Sequence, residues 1–383
     1  MSAWSTHGQS DTLSWRLQVE SGGEYDSNSH RRYDATPEDA DPSPLARVGS
    51  RLQLGWRPDD NHMLNLWGLA GATLYSEPDA STENALLSAA DARYQWRLPG
   101  RDLVLGARAS HHDIYAYAYR YTDDRDCSTA FDIPRFFTSH VGDLSATVRG
   151  PGEHQLTLTA GLQRFVYKAC SQFDWRGERY GVRYQTTTWR GDPDEDLDAA
   201  SIDVRVDYGL QNRHYQGELL VNTCPPDAAL DASCLGPVGL PRADLYHALS
   251  AEVIYTGDRI YSARYELGIT DSNSFARSLV RQRLELGITA ELFFKVFLTA
   301  KAAIQLDIYP DSLIVAPDQV TGVEDPTIDE ENRNSLSLHL SRDITKSLTL
   351  EGRYALYSNE FVGIGQQYRR QVVYLGAVYR YRP

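Results

Sequence analysis

Residues Ser347 to Pro383 read SLTLEGRYALYSNEFVGIGQQYRRQVVYLGAVYRYRP. Taking every second residue from Leu348 gives Leu348, Leu350, Gly352, Tyr354 and Leu356. Between them lie Thr349, Glu351, Arg353, Ala355 and Tyr357. Alternation of this kind describes a strand with one apolar and one polar face. After a loop the pattern resumes, with Val373, Leu375, Ala377, Tyr379 and Tyr381 on one face and Tyr374, Gly376, Arg380 and Arg382 on the other. An aromatic-rich strand that runs to the last residues suits a barrel closed by pairing its last strand with its first. The rest of the chain then reads as earlier repeats of this hairpin.

The first strand starts near Thr12, with Leu13, Trp15, Leu17 and Val19 opposite Arg16, Gln18 and Glu20, and the polar stretch EYDSNSHRRYDATPEDADPSP follows as a loop. Val48, Ser50, Leu52, Leu54 and Trp56 mark the second strand, and Pro58 to Asn61 a short turn. Further strands follow at 63–75, 91–98, 103–109, 144–148, 156–162, 180–188 and 202–211. Tight turns fall at Pro99-Gly100, Gly150-Pro151-Gly152, Thr256-Gly257-Asp258, Phe294-Lys295 and Asp343 to Lys346. The count is about sixteen strands of roughly ten residues, the length that crosses a bilayer when tilted. Long loops follow odd strands and short turns follow even ones. The predicted fold is therefore all-β: a transmembrane antiparallel up-and-down β-barrel with short periplasmic turns, long extracellular loops and both termini periplasmic. Residues 1–11 read as a polar N-terminal tail and 12–383 as the barrel. A soluble all-β sandwich is the competing fold, but it has no reason to sort its loops by length.

Composition agrees. The 383 residues include 24 Tyr, 7 Trp and 28 Gly but only 2 Met, and four of the 38 basic residues are Lys, so 34 are Arg. Mean hydropathy is negative, which a barrel permits because half of each strand and all the loops are polar. No apolar run is long enough for a transmembrane helix. Met1-Ser-Ala-Trp lacks the basic start and apolar core of a signal peptide, so the numbering is expected to begin on a mature or recombinant form. The net charge of -14 argues against a nucleic-acid partner. All four cysteines fall in loop segments. In an oxidising compartment they suit two disulfides, Cys224–Cys234 and Cys127–Cys170, with free thiols the alternative.

The outward face is Leu, Val, Ile, Ala, Tyr and Trp. Trp56, Trp96 and Trp189 sit beside short turns and mark the periplasmic rim, with Tyr117 and Tyr119 towards the other. The inward face is charged. Its pore-lining candidates are Arg51, Arg93, Arg97, Arg108, Arg179, Arg183, Arg205, Arg264, Arg281, Arg283, Arg353 and Arg380, with Asp203, Asp207, Glu266 and Glu285 among them. Further inward acids are Glu20, Asp91, Asp143, Glu291, Asp307 and Glu351. Such groups are costly in lipid and cheap in a water-filled lumen, which sixteen strands are wide enough to enclose. Guanidinium rows attract anionic solutes or polymers through bidentate pairing. Equally, Arg and Asp/Glu neighbours can pair across strands and only stabilise the wall. The acidic loops read as solvated surface.

Catalytic chemistry is hard to find. His111-His112-Asp113 points adjacent His side chains to opposite faces, so they do not share a metal simply. Nucleophile elbows, phosphate-binding loops and CxxC pairs do not occur. No catalytic residue, metal site or cofactor is expected.

EYDSN at Glu24 to Asn28, and SLTLEGRYALYSNEF with YRRQVVYLGAVYRYR at the end, resemble the outer-membrane β-barrel porins of exopolysaccharide export. These are the barrel portion of PgaA- and BcsC-like exporters and the stand-alone porins of exopolysaccharide operons. The resemblance covers about 50 residues at the two ends and the middle only as a pattern. The chain departs from it by lacking helical TPR repeats and by ending in Pro383. It implies passage of a secreted polysaccharide, acidic if the Arg-rich walls select it. The implied partners are outer-membrane lipid and lipopolysaccharide, a polysaccharide or small polar solutes, and periplasmic export proteins. The competing readings are a barrel plugged by its loops (120–135 and 309–332 being the largest) that acts as receptor, adhesin or part of a surface machine, a general diffusion porin, and an outer-membrane enzyme.

Overall fold

A computed structural model of the chain describes residues 12–27, 42–77, 84–116, 137–167, 171–191, 199–223, 225, 235–275, 277–308, 310, 334–360 and 367–382. Sixteen strands follow one another: β1 (Thr12–Asp26), β2 (Ser43–Arg57), β3 (His62–Tyr75), β4 (Ala85–Arg97), β5 (Leu103–Ala116), β6 (Phe137–Arg149), β7 (Gln155–Tyr167) and β8 (Trp175–Arg190). Then come β9 (Ala200–Asn222), β10 (Leu235–Thr256), β11 (Arg259–Ser272), β12 (Leu279–Glu291), β13 (Val296–Ile308), β14 (Ser335–Asp343), β15 (Leu348–Glu360) and β16 (Gln367–Tyr381). Each pairs antiparallel with its sequence neighbour, and β1 pairs with β16, which closes the barrel. Closure leaves no unpaired edge, so every strand satisfies its backbone groups on both sides.

Alternation decides the faces. Leu144, Leu162, Ile304 and Leu375 are 68, 65, 65 and 69% exposed. Their strand neighbours Asp143, Gln163, Ala303 and Tyr374 are buried on the inside. An apolar exterior around an ionic interior is the inverse of a soluble protein. It is stable only with lipid outside, so the chain is a transmembrane barrel of the bacterial outer-membrane type. Thr12 and Tyr381, the outer ends of the first and last strands, lie on the short-turn, periplasmic side.

Aromatic and His side chains gather at that rim as an interfacial girdle. Trp15 packs on Tyr381 at 5.2 Å between ring centroids, His62 stacks on Tyr94 and Trp96, and His154 donates or accepts at Tyr184 over 2.8 Å. Short turns are fixed locally. Asp59 Oδ1 accepts from the backbone N–H groups of Asn61 and His62 at 2.8 and 2.9 Å. Gly100 supplies the positive φ of 67° that its turn requires.

Three expectations need correction. Glu24 and Asp26 belong to β1, because both pair with β2 and β16. β8 starts at Trp175, ahead of the expected Tyr180, and pairs there with Tyr215. β9 and β10 are 23 and 22 residues long and extend past the wall, beyond the expected end of the ninth strand near Gln211. At Pro237–Ala243 the register shifts, and the 273–278 connection docks into that gap, with Phe275 N–H donating to Leu220 C=O at 2.8 Å. The loop asymmetry holds in part: connections 168–174, 273–278 and 361–366 are short for their side, and 191–199 is long for the other.

Candidate functional site: the lumen wall

Residues two apart on a strand share a face, and directly opposed residues on neighbouring strands touch. These two relations assemble the charged interior. On β4 and β5, Arg93 Nε and Arg108 Nε each donate to one oxygen of Asp91 at 2.6 Å. On β8 to β10, Asp207 takes Arg183 and Arg205, and Arg205 also reaches Glu252 at 3.7 Å. Asp203 accepts from the Thr187 hydroxyl at 2.5 Å. Arg179 lies 3.4 Å from Asp143.

The far wall repeats the scheme. Arg264 pairs with Glu266, Arg281 makes two hydrogen bonds to Asp307 at 3.0 and 3.3 Å, and Glu285 is flanked by Arg283 and Lys301 at 3.6 and 3.7 Å. Arg353 bridges Glu20 at 3.0 Å and Glu351 at 2.6 Å. Arg380 donates to Thr349 at 2.5 Å and lies 3.5 Å from Asp343. His339 completes this group, 3.2 Å from Glu351. All sixteen sequence candidates are thus on strands. Ten of the twelve arginines are ion-paired; Arg51 and Arg97 make no ion pair among the described residues. Asp91 and Asp207 each serve two guanidinium groups, so each trio carries a net positive charge before its other neighbours are counted.

Towards the long-loop end the inner wall changes character. Ile114, Phe137, Phe165 and Trp175 form a buried cluster, with Phe165 and Trp175 stacked at 5.7 Å. Beside it, Arg213 donates to Gln211 at 2.6 Å, and Gln211 donates to Gln163 at 2.8 Å. The Arg213 guanidinium lies over Tyr246 at 4.3 Å and Trp175 at 5.0 Å. Arg242 grips Asp244 and covers Tyr215 at 4.0 Å. Opposite, Asp26 and Arg370 form a buried pair. The arginines of the lower wall are part-exposed, whereas these upper groups are buried. The lower wall therefore presents its guanidinium groups to the lumen, whereas the upper wall packs its own among aromatic and carboxylate side chains.

Sequence reading missed the upper tier because it lies where strands had been read as loops. The signal was present: Arg213 with Tyr215, and Arg242 with Asp244, repeat the two-residue spacing of the lower tier.

The sequence matches no known protein family and no characterised protein. Among solved structures, OmpT of Vibrio cholerae is similar over 97% of this chain and 100% of its own, with a TM-score of 0.44 in a loop-deletion form and 9% identity. An anion-selective porin from Comamonas acidovorans gives 97 and 100% coverage, a TM-score of 0.41 and 12% identity. OccAB3 of Acinetobacter baumannii gives 97 and 99%, 0.44 and 10%.

His111 and Asp113 point outward and His112 inward, so the three do not converge. Among the described residues no group of three His, Cys, Asp or Glu is placed to hold a metal. Cys127, Cys170, Cys224 and Cys234, both disulfide pairings, Tyr117 and Tyr119, and loop residues 120–135, 309 and 311–332 lie outside the described residues.

Proposed function

We propose that the barrel is an outer-membrane channel for polar solutes, and that its cargo is a secreted anionic exopolysaccharide. The observation that carries this is the ring of part-exposed guanidinium groups on the lower wall, held in place by carboxylates that two arginines share. Pairing fixes the side chains against the wall, so they line a conduit and do not obstruct it. Spare donors on Arg93, Arg108, Arg183 and Arg205 suit passing carboxylates, each contact weak and reversible in water. Weak repeated contacts let a polymer advance, where one strong site would hold it.

The test is block of ion current by a soluble polyuronate across a bilayer holding the refolded barrel. Transient interruptions are expected, and Arg281→Gln with Arg283→Gln should shorten them. A neutral dextran of equal size that blocks as well would rule out the anionic cargo.

The buried, aromatic-packed upper tier favours a second reading, a barrel closed at its outer end that works as a surface receptor. It predicts folded, silent protein in the same bilayer.

A further inference from the structure

On β5 to β9 five outward-facing residues stand directly opposite one another in unbroken succession. His111 pairs with His140, His140 with Arg164, Arg164 with Arg176, and Arg176 with His214. Every position in this row is His or Arg. On each strand it lies beyond the outward apolar run, towards the long-loop end: Leu156, Leu158, Ala160 and Leu162 precede Arg164 directly, whereas Glu178 stands between Tyr180 and Arg176 on β8 and Asn212 between Leu210 and His214 on β9. The flanking strands differ. β3 and β4 end their outer faces in Leu74 and Leu86, and on β10 the position opposite His214 is Ala243.

Two like charges directly opposed across a strand pair destabilise a sheet. Arg164 and Arg176 are so opposed, exposed, and without an ion partner among the described residues. His111 and His140 face each other at 3.3 Å between Nδ1 atoms. Two acids share this outer face, and neither is within ion-pair distance of Arg164 or Arg176. Asp113 accepts from Thr138 at 2.5 Å, and Glu178 lies 3.4 Å from Asn212 and 3.8 Å from His214. The opposed Arg164 and Arg176 call for an anion, with the three His as further donors, and the bilayer supplies one at this level. A charged row on a lipid-facing wall is tolerated at the interface and not at the midplane, and basic clusters at membrane surfaces bind anionic head groups. Guanidinium pairs are suited to phosphate in particular.

We infer that the row His111–His140–Arg164–Arg176–His214 is a binding site for the phosphates of lipopolysaccharide in the outer leaflet, where the lipid docks on the barrel wall. The inference rests on the transmembrane placement and not on an open lumen, so it stands or falls separately from conductance.

The refolded barrel in detergent micelles is titrated with lipopolysaccharide and with the same lipid stripped of phosphate by hydrogen fluoride. Lipid bound per barrel is read by native mass spectrometry. Intact lipid should bind, and the stripped lipid at least tenfold more weakly. Arg164→Gln with Arg176→Gln should weaken binding of intact lipid at least tenfold with an unchanged heat-modifiable gel shift, and the double Lys variant should restore most of it. Inorganic phosphate at about 10 mM should leave the lipid bound. The inference is overturned by equal binding of the stripped lipid, by an unaffected Gln double variant, by displacement with inorganic phosphate, or by a wild-type oligomer that the Gln variant splits into monomers, which would make the row a contact between barrels.

Discussion

Arg370 on the last strand holds Asp26 on the first through two parallel hydrogen bonds, Nε to Oδ1 at 2.9 Å and Nη2 to Oδ2 at 2.6 Å, across 344 residues of sequence. Both are buried, and Tyr75 on β3 adds a hydroxyl to Asp26 at 3.1 Å. The pair fastens the seam where the barrel closes, at the end far from Thr12 and Tyr381.

Breaking one side of a buried pair leaves an uncompensated charge, which costs about 3–5 kcal/mol. Asp26→Ala should therefore lower the urea unfolding free energy of the refolded barrel by that order. Asp26→Leu with Arg370→Met removes both charges and should cost clearly less. Equal loss in the two would mean that packing, not charge, fastens the seam.

Tyr374 lies flat on the inner wall at the same seam, where a Cβ on Gly22 or Gly376 would fall on its ring or hydroxyl. Arg353 covers its other side at 4.8 Å. Gly22→Ala should cost about 1–3 kcal/mol by overpacking. In the Tyr374→Ala background the same change should cost less, and the difference is read as a coupling free energy in a double-mutant cycle.

Asp91 is shared by two arginines and offsets only one of their two charges. Asp91→Asn should cost roughly 1–3 kcal/mol of stability through weaker hydrogen bonds and should make the lower lumen more positive. The reversal potential in a KCl gradient is expected to move towards the chloride equilibrium potential. Movement in the potassium direction would contradict the placement of this trio on the conducting wall.

Outer and inner faces predict opposite tolerance at adjacent positions of β6. Leu144→Arg puts a charge into lipid and should cost about 2–4 kcal/mol near the midplane. Ser145→Arg points into the lumen and should leave insertion intact while lowering conductance. The comparison is read by membrane-inserted yield and single-channel current.

How far the sequence reveals this molecule depends on strand register. A period-two pattern gives the face of every residue once one is known, so Leu350 against Glu351 was enough to send Arg353 inward and Tyr354 outward. Strand length is less legible. The tip of β9 and β10 breaks the alternation, with Leu219, Leu220 and Val221 in succession and Pro237, Gly239 and Pro241 on the partner strand, because outside the membrane the two faces need not differ. Arg213, Arg242 and Asp244 therefore read as loop, as did Asp26. The Arg164–Arg176 pairing was equally hidden, since it depends on register between β7 and β8, and the hydrophobic pattern of either strand alone does not supply it.

An aqueous path lined by paired arginines must carry ions. Single-channel recording of the refolded barrel in a planar bilayer of neutral lipid shows whether it does. Steady, ohmic current is expected, with an ion selectivity that shifts with Asp91→Asn. A correctly folded barrel that carries no current, alone and with its Arg281→Gln and Arg283→Gln substitutions, would contradict an open conduit.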